Sequence, residues 1–296
     1  MSEDLPESDD ETYDLDSGPD PADYAASAPE PVRERTDDDD EEKSPDHPPV
    51  HAVGIGPGNP EYLIPRAERA IREADVVVGF ETVVEFIRDL TDADLLTCGY
   101  RDEATALSTF AERVTAGDRG TAVLMGDPNH SGYQFLGKVE RAVDEAVGGA
   151  GVDGVGVTEA GGDGDVDAAI DVRVVPGISS LQVAASRART PMEASTFVTL
   201  HRSGDLTDDL DRLRRDVGER HLLVLPRPFD LMPGDIAADL LDHGGRPDVT
   251  ALVCERLTHD DEAITHTTLG DLASHAGGDR PADSPFSDLS VLVVRR

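Results

Sequence analysis

The sequence predicts an α/β protein of two lobes, with a mostly parallel sheet in the first lobe and a mixed sheet in the second. Short apolar, β-branched runs alternate with helical stretches from residue 50 onward, which is typical of parallel sheets. The last three apolar runs have short or turn-like links, which favours antiparallel pairing near the carboxyl end. A Gly- and Asp-rich stretch over residues 148–171 separates the two parts and is predicted to be an inserted linker.

The predicted elements follow one another in a regular order. Strands are expected at 50–55, 75–79, 121–125, 172–175, 196–200, 222–225, 249–254, 263–267 and 289–294. Helices are expected at 62–73, 104–116, 132–146, 180–188, 207–217 and 233–242. The predicted lobes therefore span residues 50–147 and 172–296.

The first 49 residues differ in composition from the rest. They hold 19 acidic residues, 3 basic residues and 8 of the 20 prolines. Such a segment repels itself and has too little apolar area to offset its chain entropy, so a disordered acidic tail is predicted. It has neither the basic start nor the apolar stretch of a secretory signal peptide.

The net charge of the chain limits the kinds of partner that it can bind. The net charge is −36, and the first 49 residues contribute −16 of it. Beyond them the chain has one lysine, Lys138. An acidic, lysine-poor surface suits molar salt, where the Debye length falls to about 3 Å, so a salt-loving source is predicted. A mesophilic protein with an acidic partner-binding surface is the alternative, and either one disfavours nucleic acid as the main partner.

Cysteines and apolar runs point to a cytoplasmic protein. Cys98 and Cys254 each close an apolar run, so buried free thiols are predicted rather than a disulfide or a metal pair. No apolar run approaches the length of a membrane span, so no membrane association is expected.

Three glycines follow the first predicted strand, in the stretch "GIGPGNPEYL". A dinucleotide fingerprint would need its third glycine at Asn59, and Pro57 removes a backbone N–H that a phosphate nest would use. A nicotinamide or flavin site is therefore disfavoured, and the absence of Gly-Lys-Ser/Thr excludes a P-loop. Two interpretations remain: a tight turn that lets another group approach the backbone closely, or a plain turn without a ligand.

Three further loops carry polar residues at strand ends: "MGDPNHSGY", "VPGISS" and "FSDLSVLVV". Singly, Asp127 could cap a turn, and Ser179 or Ser180 could cap the helix that follows. Together they place polar loops at the carboxyl ends of strands, where open α/β sheets bind ligands.

This set of loops resembles the tetrapyrrole methylase family. "PGISSLQ", the "TLHR" after it, "CERL…DE" and "FSDL" are most similar to the branch that methylates C5 of cobalt-precorrin-7 in cobalamin biosynthesis. The resemblance implies two α/β lobes with a trough between them. It also implies S-adenosylmethionine as the cofactor and a cobalt-precorrin tetrapyrrole as the substrate.

The resemblance also implies which residues form the site. The cofactor would lie folded between the lobes against Gly126, Asp127, Pro128, His130, Ser179, Ser180, Leu225 and Pro226. Residues 251–254 and the turn around Thr268 would hold adenine and ribose. Gly56, Pro57, Gly58 and Arg202 would face the macrocycle.

The expected chemistry needs little from the protein beyond alignment. A sulfonium methyl is already activated, so the protein must line up the nucleophilic carbon, the methyl and the sulfur. His201 or Glu255 could remove an excess proton, although each could equally cap or pack. No clustered metal-ligand set is found, so no protein-bound metal is expected.

Carboxylates of the substrate call for local arginines in this acidic chain. The candidates are Arg66, Arg101, Arg189, Arg202 and Arg256, each of which could instead be solvated. Family members suggest a homodimer and a C15-methylating, decarboxylating corrin enzyme as pathway partner. Alternative functions are methylation of another corrin carbon, methylation of the diphthamide precursor, or a non-catalytic acidic scaffold.

Overall fold

The computed structural model describes residues 47–99, 102–130, 132–149, 170–228, 230–277 and 284–296. Most of the acidic segment and most of the Gly/Asp-rich stretch lie outside these residues, as does Arg101. The predictions made for them therefore stay predictions.

The first lobe is an all-parallel sheet of five strands in the order β3-β2-β4-β1-β5. Its strands are β1 (Val50–Gly54), β2 (Val76–Phe80), β3 (Asp94–Cys98), β4 (Gly120–Leu124) and β5 (Val172–Val175). The helices between them are α1 (Pro65–Arg72), α2 (Glu81–Glu85), α3 (Glu103–Thr115) and α4 (Tyr133–Gly149).

The second lobe is a mixed sheet in the order β6-β7-β10-β8-β9. Its strands are β6 (Ser195–Thr199), β7 (His221–Leu225), β8 (Thr250–Glu255), β9 (Ala263–Thr268) and β10 (Ser290–Val294). Its helices are α5 (Ser180–Ala188), α6 (Thr207–Asp216), α7 (Pro233–Asp242) and α8 (Leu269–Ala273). β6 and β7 are parallel, whereas β10 runs antiparallel to β7 and β8, and β9 antiparallel to β8. The predicted antiparallel pairing near the carboxyl end is thus confirmed.

The central strands are continuously apolar because both faces of each sheet are covered. In β2, Val76 and Val78 pack into the cluster that contains Phe110 of α3, whereas Val77 packs on the opposite face with Ile71 of α1. Strands buried on both faces read as apolar runs rather than as alternating patterns. The same division holds in the second sheet, where α5 covers one face.

Two features of the fold differ from the sequence-based expectation. β3 was not predicted, because the short run "DLLTC" has only partly buried leucines and begins with an exposed aspartate. β5 lies in the first sheet, beside β1, although the predicted second lobe begins at residue 172. An isolated apolar run does not reveal its pairing partner, and the change of sheet occurs after β5. No helix in the described part of the chain is long and apolar enough to cross a bilayer.

Candidate active site

The carboxyl ends of strands from both sheets converge on one cavity of about 500 Å³. The first lobe contributes the ends of β2, β3 and β4 with the loops that follow them. The second lobe contributes the residues after β6, the end of β7, the residues after β8, and the start of β10. Among the predicted site residues, those that line the cavity are Pro57, Gly126, Asp127, Ser179, Ser180, His201, Arg202 and Leu225.

Three glycine backbones meet at the ends of β1, β4 and β5. A Cβ built on Gly54 would lie 2.7 Å from the nitrogen of Gly177, and one on Gly177 would collide with the carbonyl oxygen of Gly126. Real Cβ atoms do not tolerate such contacts, so Gly54 and Gly177 require the absence of a side chain, whereas Gly126 is favoured by its φ of 66°. These glycines bring three loops of the protein against one another at one wall of the cavity.

The other two glycines of the opening motif, Gly56 and Gly58, also contact other residues of the chain. Gly56 (φ 82°) donates its N–H to the carbonyl of Gly126 and accepts the Gly126 N–H at 2.8 Å. A Cβ on Gly58 (φ 111°) would lie 2.7 Å from Cε1 of His259. Of the three residues of this motif that were predicted to face the macrocycle, Pro57 lines the cavity, while Gly56 and Gly58 do not.

Asp127 links two of the predicted cofactor loops. Its Oδ1 accepts from the backbone N–H of Asn129 at 2.8 Å, and its Oδ2 accepts from Gly177 N–H at 3.1 Å. Ser179 then starts α5 with a capping box, in which its Oγ accepts from Leu181 N–H and its own N–H donates to Gln182. The side chains that could have been turn and helix caps are therefore caps, and they also line the cavity.

The second lobe supplies His201, Asp288 and Ser290 to the cavity wall. Burial lowers the pKa of His201 below its usual value, and the charge of Asp288 partly opposes the shift. His201 is therefore neutral at pH 7 and able to accept a proton. The Oγ of Ser290, whose residue is 3 % exposed, has no hydrogen-bond partner among the described residues.

Two of the predicted reactive side chains are already engaged. Glu255 accepts from the backbone N–H of Ser287 at 2.8 Å and is not among the residues that line the cavity. Arg202 lines the cavity, but its guanidinium donates to Asp209 at 2.6 Å and to the carbonyls of Ser203 and Asp205. Both arrangements fit the alternative structural roles that the sequence left open.

The other predicted residues lie outside the cavity lining. Pro128, His130 and Pro226 do not belong to it, although Pro128 follows Asp127 and Pro226 follows Leu225, which do. Nδ1 of His130 is buried and has no hydrogen-bond partner among the described residues. Of the candidate arginines in the described ranges, Arg256 lines the cavity, whereas Arg66 and Arg189 do not.

Sequence reasoning missed the far wall of the first lobe. Cys98, Glu103, Gln134, Phe135 and Lys138 line the cavity there. Burial raises the pKa of Cys98 to about 12, so its thiol stays protonated. The sequence does single out Lys138 as the one lysine after residue 49, but no local pattern indicates that it lies beside β3.

A clasp between the lobes, formed by Asn59, Tyr62, Arg187, Thr258 and Glu262, borders the cavity. Arg187 donates twice to Glu262 at 2.7 and 3.2 Å, and the side chains of Glu262 and Tyr62 raise the pKa of Arg187 above its usual value. Glu262 accepts from Thr258 N–H, whose carbonyl accepts from Asn59. Thr258 has a φ of 73°, in the left-handed region that non-glycine residues rarely adopt.

Comparison with known proteins resolves the family. The sequence matches the family described as Tetrapyrrole (Corrin/Porphyrin) Methylases over residues 49–144 and 163–273, more than half of the chain. The chain belongs to the tetrapyrrole methylase family. As a family member it is an S-adenosylmethionine-dependent C-methyltransferase of tetrapyrroles.

The relatives of this tetrapyrrole methylase are named for methylating different carbons of the macrocycle. A probable cobalt-precorrin-7 C(5)-methyltransferase of Methanocaldococcus jannaschii is 27 % identical over 82 % of this chain and 96 % of that protein. A cobalt-precorrin-4 C(11)-methyltransferase of the same organism is 24 % identical over 76 % and 80 %. The solved uroporphyrin-III C-methyltransferase of Thermus thermophilus with S-adenosylhomocysteine has a TM-score of 0.58 at 21 % identity, covering 84 % of this chain and 98 % of that one.

The cavity of this methylase fits a sulfonium nucleoside. Gly126 and Asp127 line it on one side, and Leu225 and Leu257 add apolar residues to the lining. The buried hydroxyl of Ser290 lacks a partner that a ligand could provide. No group of three His, Cys, Asp or Glu side chains in the described ranges is arranged to hold a metal ion.

Proposed function

We propose that this protein methylates C5 of cobalt-precorrin-7 in cobalamin biosynthesis. One observation carries the proposal: the loops behind the resemblance, represented by Asp127, Ser179, His201 and Asp288, line a single cavity between the lobes. The choice of C5 is supported by the relative from Methanocaldococcus jannaschii, which this chain matches over nearly that protein's whole length.

The cofactor supplies an activated methyl group, and the residues of the chain supply its position. The loops after β4 and β5 are tied together through Asp127 and Gly177, so they offer a fixed wall. Such preorganisation matters because a misplaced reactant loses the advantage of a near-attack geometry of about 3–3.5 Å. Phe80, Phe135 and Leu289 add apolar surface that suits a flat macrocycle.

Proton removal is assigned to His201 in this proposal. When carbon C5 forms its new bond to the methyl, the C–S bond breaks and the sulfur leaves with the electron pair. Any proton displaced from the macrocycle passes to a base. The low pKa of His201 keeps its imidazole neutral and able to accept, and Asp288 would stabilise the resulting cation.

The first experiment is calorimetric titration with S-adenosylmethionine, in molar KCl, on the wild type, Asp127→Arg and the control Asp92→Arg. Asp92 is exposed and lies away from the cavity lining. We expect binding to the wild type and the control and loss of binding in Asp127→Arg. If S-adenosylmethionine does not bind to the folded wild type, the proposal is wrong.

The acceptor is identified by transfer of a ¹³C-labelled methyl to candidate tetrapyrroles, followed by NMR of the product. A new resonance for a methyl on C5 is expected. Labelling of another corrin carbon would support the alternative exemplified by the C(11) relative. The diphthamide precursor is included as a further acceptor, and labelling of it alone would show that the acceptor is a protein residue. Absence of any methyl transfer would favour a non-catalytic scaffold.

We further propose that the protein works in a salt-rich cytoplasm, which its net charge of −36 supports. From the family resemblance we also propose that it forms a homodimer. Light scattering at about 0.1 M and about 1 M KCl gives the mass, and activity at both gives the salt requirement. Greater activity at the lower salt would contradict the salt-loving source. A monomer at both would contradict the dimer.

A further inference from the structure

A buried ion pair lies in the wall of the cavity on the first-lobe side. Nζ of Lys138, on α4, lies 2.6 Å from Oε2 of Glu103 at the start of α3. The two side chains are 17 % and 10 % exposed, and both line the cavity beside Cys98. The pair is therefore mostly withdrawn from water but faces the space that a ligand would fill.

Packing alone does not explain this pair. The neighbouring positions of α3, α4 and β3 are filled by apolar residues, among them Leu107 and Phe135. Replacing a buried ion pair by apolar side chains is often neutral or stabilising, because both charges lose their hydration. The chain also has only two lysines among its 26 Lys and Arg residues, and Lys138 is the only one in the described ranges.

Lys138 and Arg202 both line the cavity but differ in their remaining hydrogen-bond donors. Arg202 donates to Asp209 and to two backbone carbonyls, so its guanidinium is largely used. An ammonium has three donors, and among the described residues Lys138 donates only to Glu103. Two donors of a desolvated cation thus remain for a ligand in the cavity.

We propose that Lys138 binds a side-chain carboxylate of the tetrapyrrole and that Glu103 is the positioning residue that holds the ammonium at the cavity wall. This inference rests on the proposed function, since it needs a carboxylate-bearing macrocycle. A carboxylate facing Lys138 completes the coordination of the cation, whereas an amide offers no charge. The site therefore discriminates between free carboxylates and their amides at one position of the macrocycle.

The test compares two corrins that differ in side-chain charge: dicyanocobyrinic acid, with free carboxylates, and dicyanocobinamide, with amides. Their dissociation constants are measured by calorimetry in molar KCl for the wild type, Lys138→Met, Lys138→Arg and Glu103→Gln. Arg141→Met is the matched control, because Arg141 is an exposed residue of the same helix.

Lys138→Met is expected to weaken binding of the acid at least tenfold and to leave binding of the amide unchanged. Lys138→Arg recovers part of the loss, and Arg141→Met changes neither ligand. Glu103→Gln is expected to tighten binding of the acid several-fold, because the carboxylate of the ligand is then the only negative charge next to the Lys138 ammonium. A purely structural pair predicts that Lys138→Met and Glu103→Gln weaken both corrins alike, and that result would overturn the proposal.

Two further results separate this proposal from the proposed function. Binding of S-adenosylmethionine is expected to be the same in all these variants. A wild type that binds the cofactor but not dicyanocobyrinic acid overturns the role of Lys138 and leaves methyl transfer standing. A wild type that does not bind the cofactor overturns the proposed function itself. If Lys138→Met does not fold, the double variant Lys138→Leu/Glu103→Leu, which leaves neither charge buried, replaces it.

Discussion

The two lobes build their walls of the same cavity in different ways. In the first lobe the wall is made by close backbone contacts: a Cβ on Gly54 or on Gly177 would collide with neighbouring backbone, including the carbonyl oxygen of Gly126. In the second lobe, side chains form the wall, among them the half-buried His201 and the buried Ser290. The first wall is therefore rigid and intolerant of added atoms, whereas the second carries the groups whose chemistry can be tuned.

The topology explains this difference. Parallel strands of the first sheet all end at the cavity, so their loops crowd together and need glycine. In the second sheet, β10 runs antiparallel to β7 and β8, so its first residues reach the cavity instead of its last. That reversal brings the "FSDL" loop, with Asp288 and Leu289, to the site.

The largest expected effect comes from breaking the glycine wall. In Gly177→Ala the new Cβ would collide with the carbonyl of Gly126 and lie 2.8 Å from the backbone of Gly54. We expect the free energy of unfolding to fall by about 3 kcal/mol and cofactor binding to be lost. Urea denaturation and calorimetry measure both. Gly148→Ala is the control, because its Cβ would meet nothing within 4 Å; equal stability of the two variants would refute the close contact.

The clasp between the lobes is expected to matter less. Glu262→Gln weakens two hydrogen bonds from Arg187 and the one from Thr258, so a loss of about 1–2 kcal/mol is expected in urea denaturation. Asp248→Asn breaks a solvent-exposed ion pair with Arg246 and should leave the stability almost unchanged. Equal losses in the two variants would mean that the clasp acts as an ordinary surface ion pair.

Ser290 tests the second wall directly. Removing its unpartnered hydroxyl in Ser290→Ala should leave the stability of the ligand-free protein unchanged or slightly higher, since a buried polar atom without a partner is unfavourable. Cofactor affinity is expected to fall by about tenfold, which corresponds to one lost hydrogen bond of about 1.4 kcal/mol. Thermal unfolding with and without S-adenosylmethionine separates the two effects. An unchanged affinity would remove Ser290 from the binding groups.

The smallest effect concerns His201 and pH. Its folded-state pKa is lowered by burial, so below about pH 6.5 the unfolded chain binds more protons and stability falls. The loss stops once the pH is below the folded-state pKa. His201→Gln should therefore show a shallower decline between pH 7.5 and pH 5 than the wild type. The pKa values of His51 and His221 are also lowered, so the comparison uses only the difference between the two proteins. Parallel curves would contradict a buried neutral imidazole.

Prediction from sequence worked where the signal is local. The capping box at Ser179 and the turn at Asp127 follow from residues two or three positions apart, which the sequence displays directly. The missing strand β3 and the partner of β5 depend on contacts made far along the chain, to β2 and β1. The sequence also could not show that Glu255 accepts a hydrogen bond from Ser287 and that Arg202 pairs with Asp209. Both residues were therefore proposed for the site, although these contacts already engage them.

The sequence by itself determined the α/β class, the glycine turns and the family, because apolar periodicity and short motifs are written in consecutive residues. Only the tertiary structure decided which of those residues share a cavity and which polar groups remain unpaired there. Lys138 and Glu103 are 35 residues apart, yet their charges lie 2.6 Å from each other beside Cys98. Distances of that kind are set by the packing of α3 against α4, where burial of apolar surface positions two charged side chains that no local pattern connects.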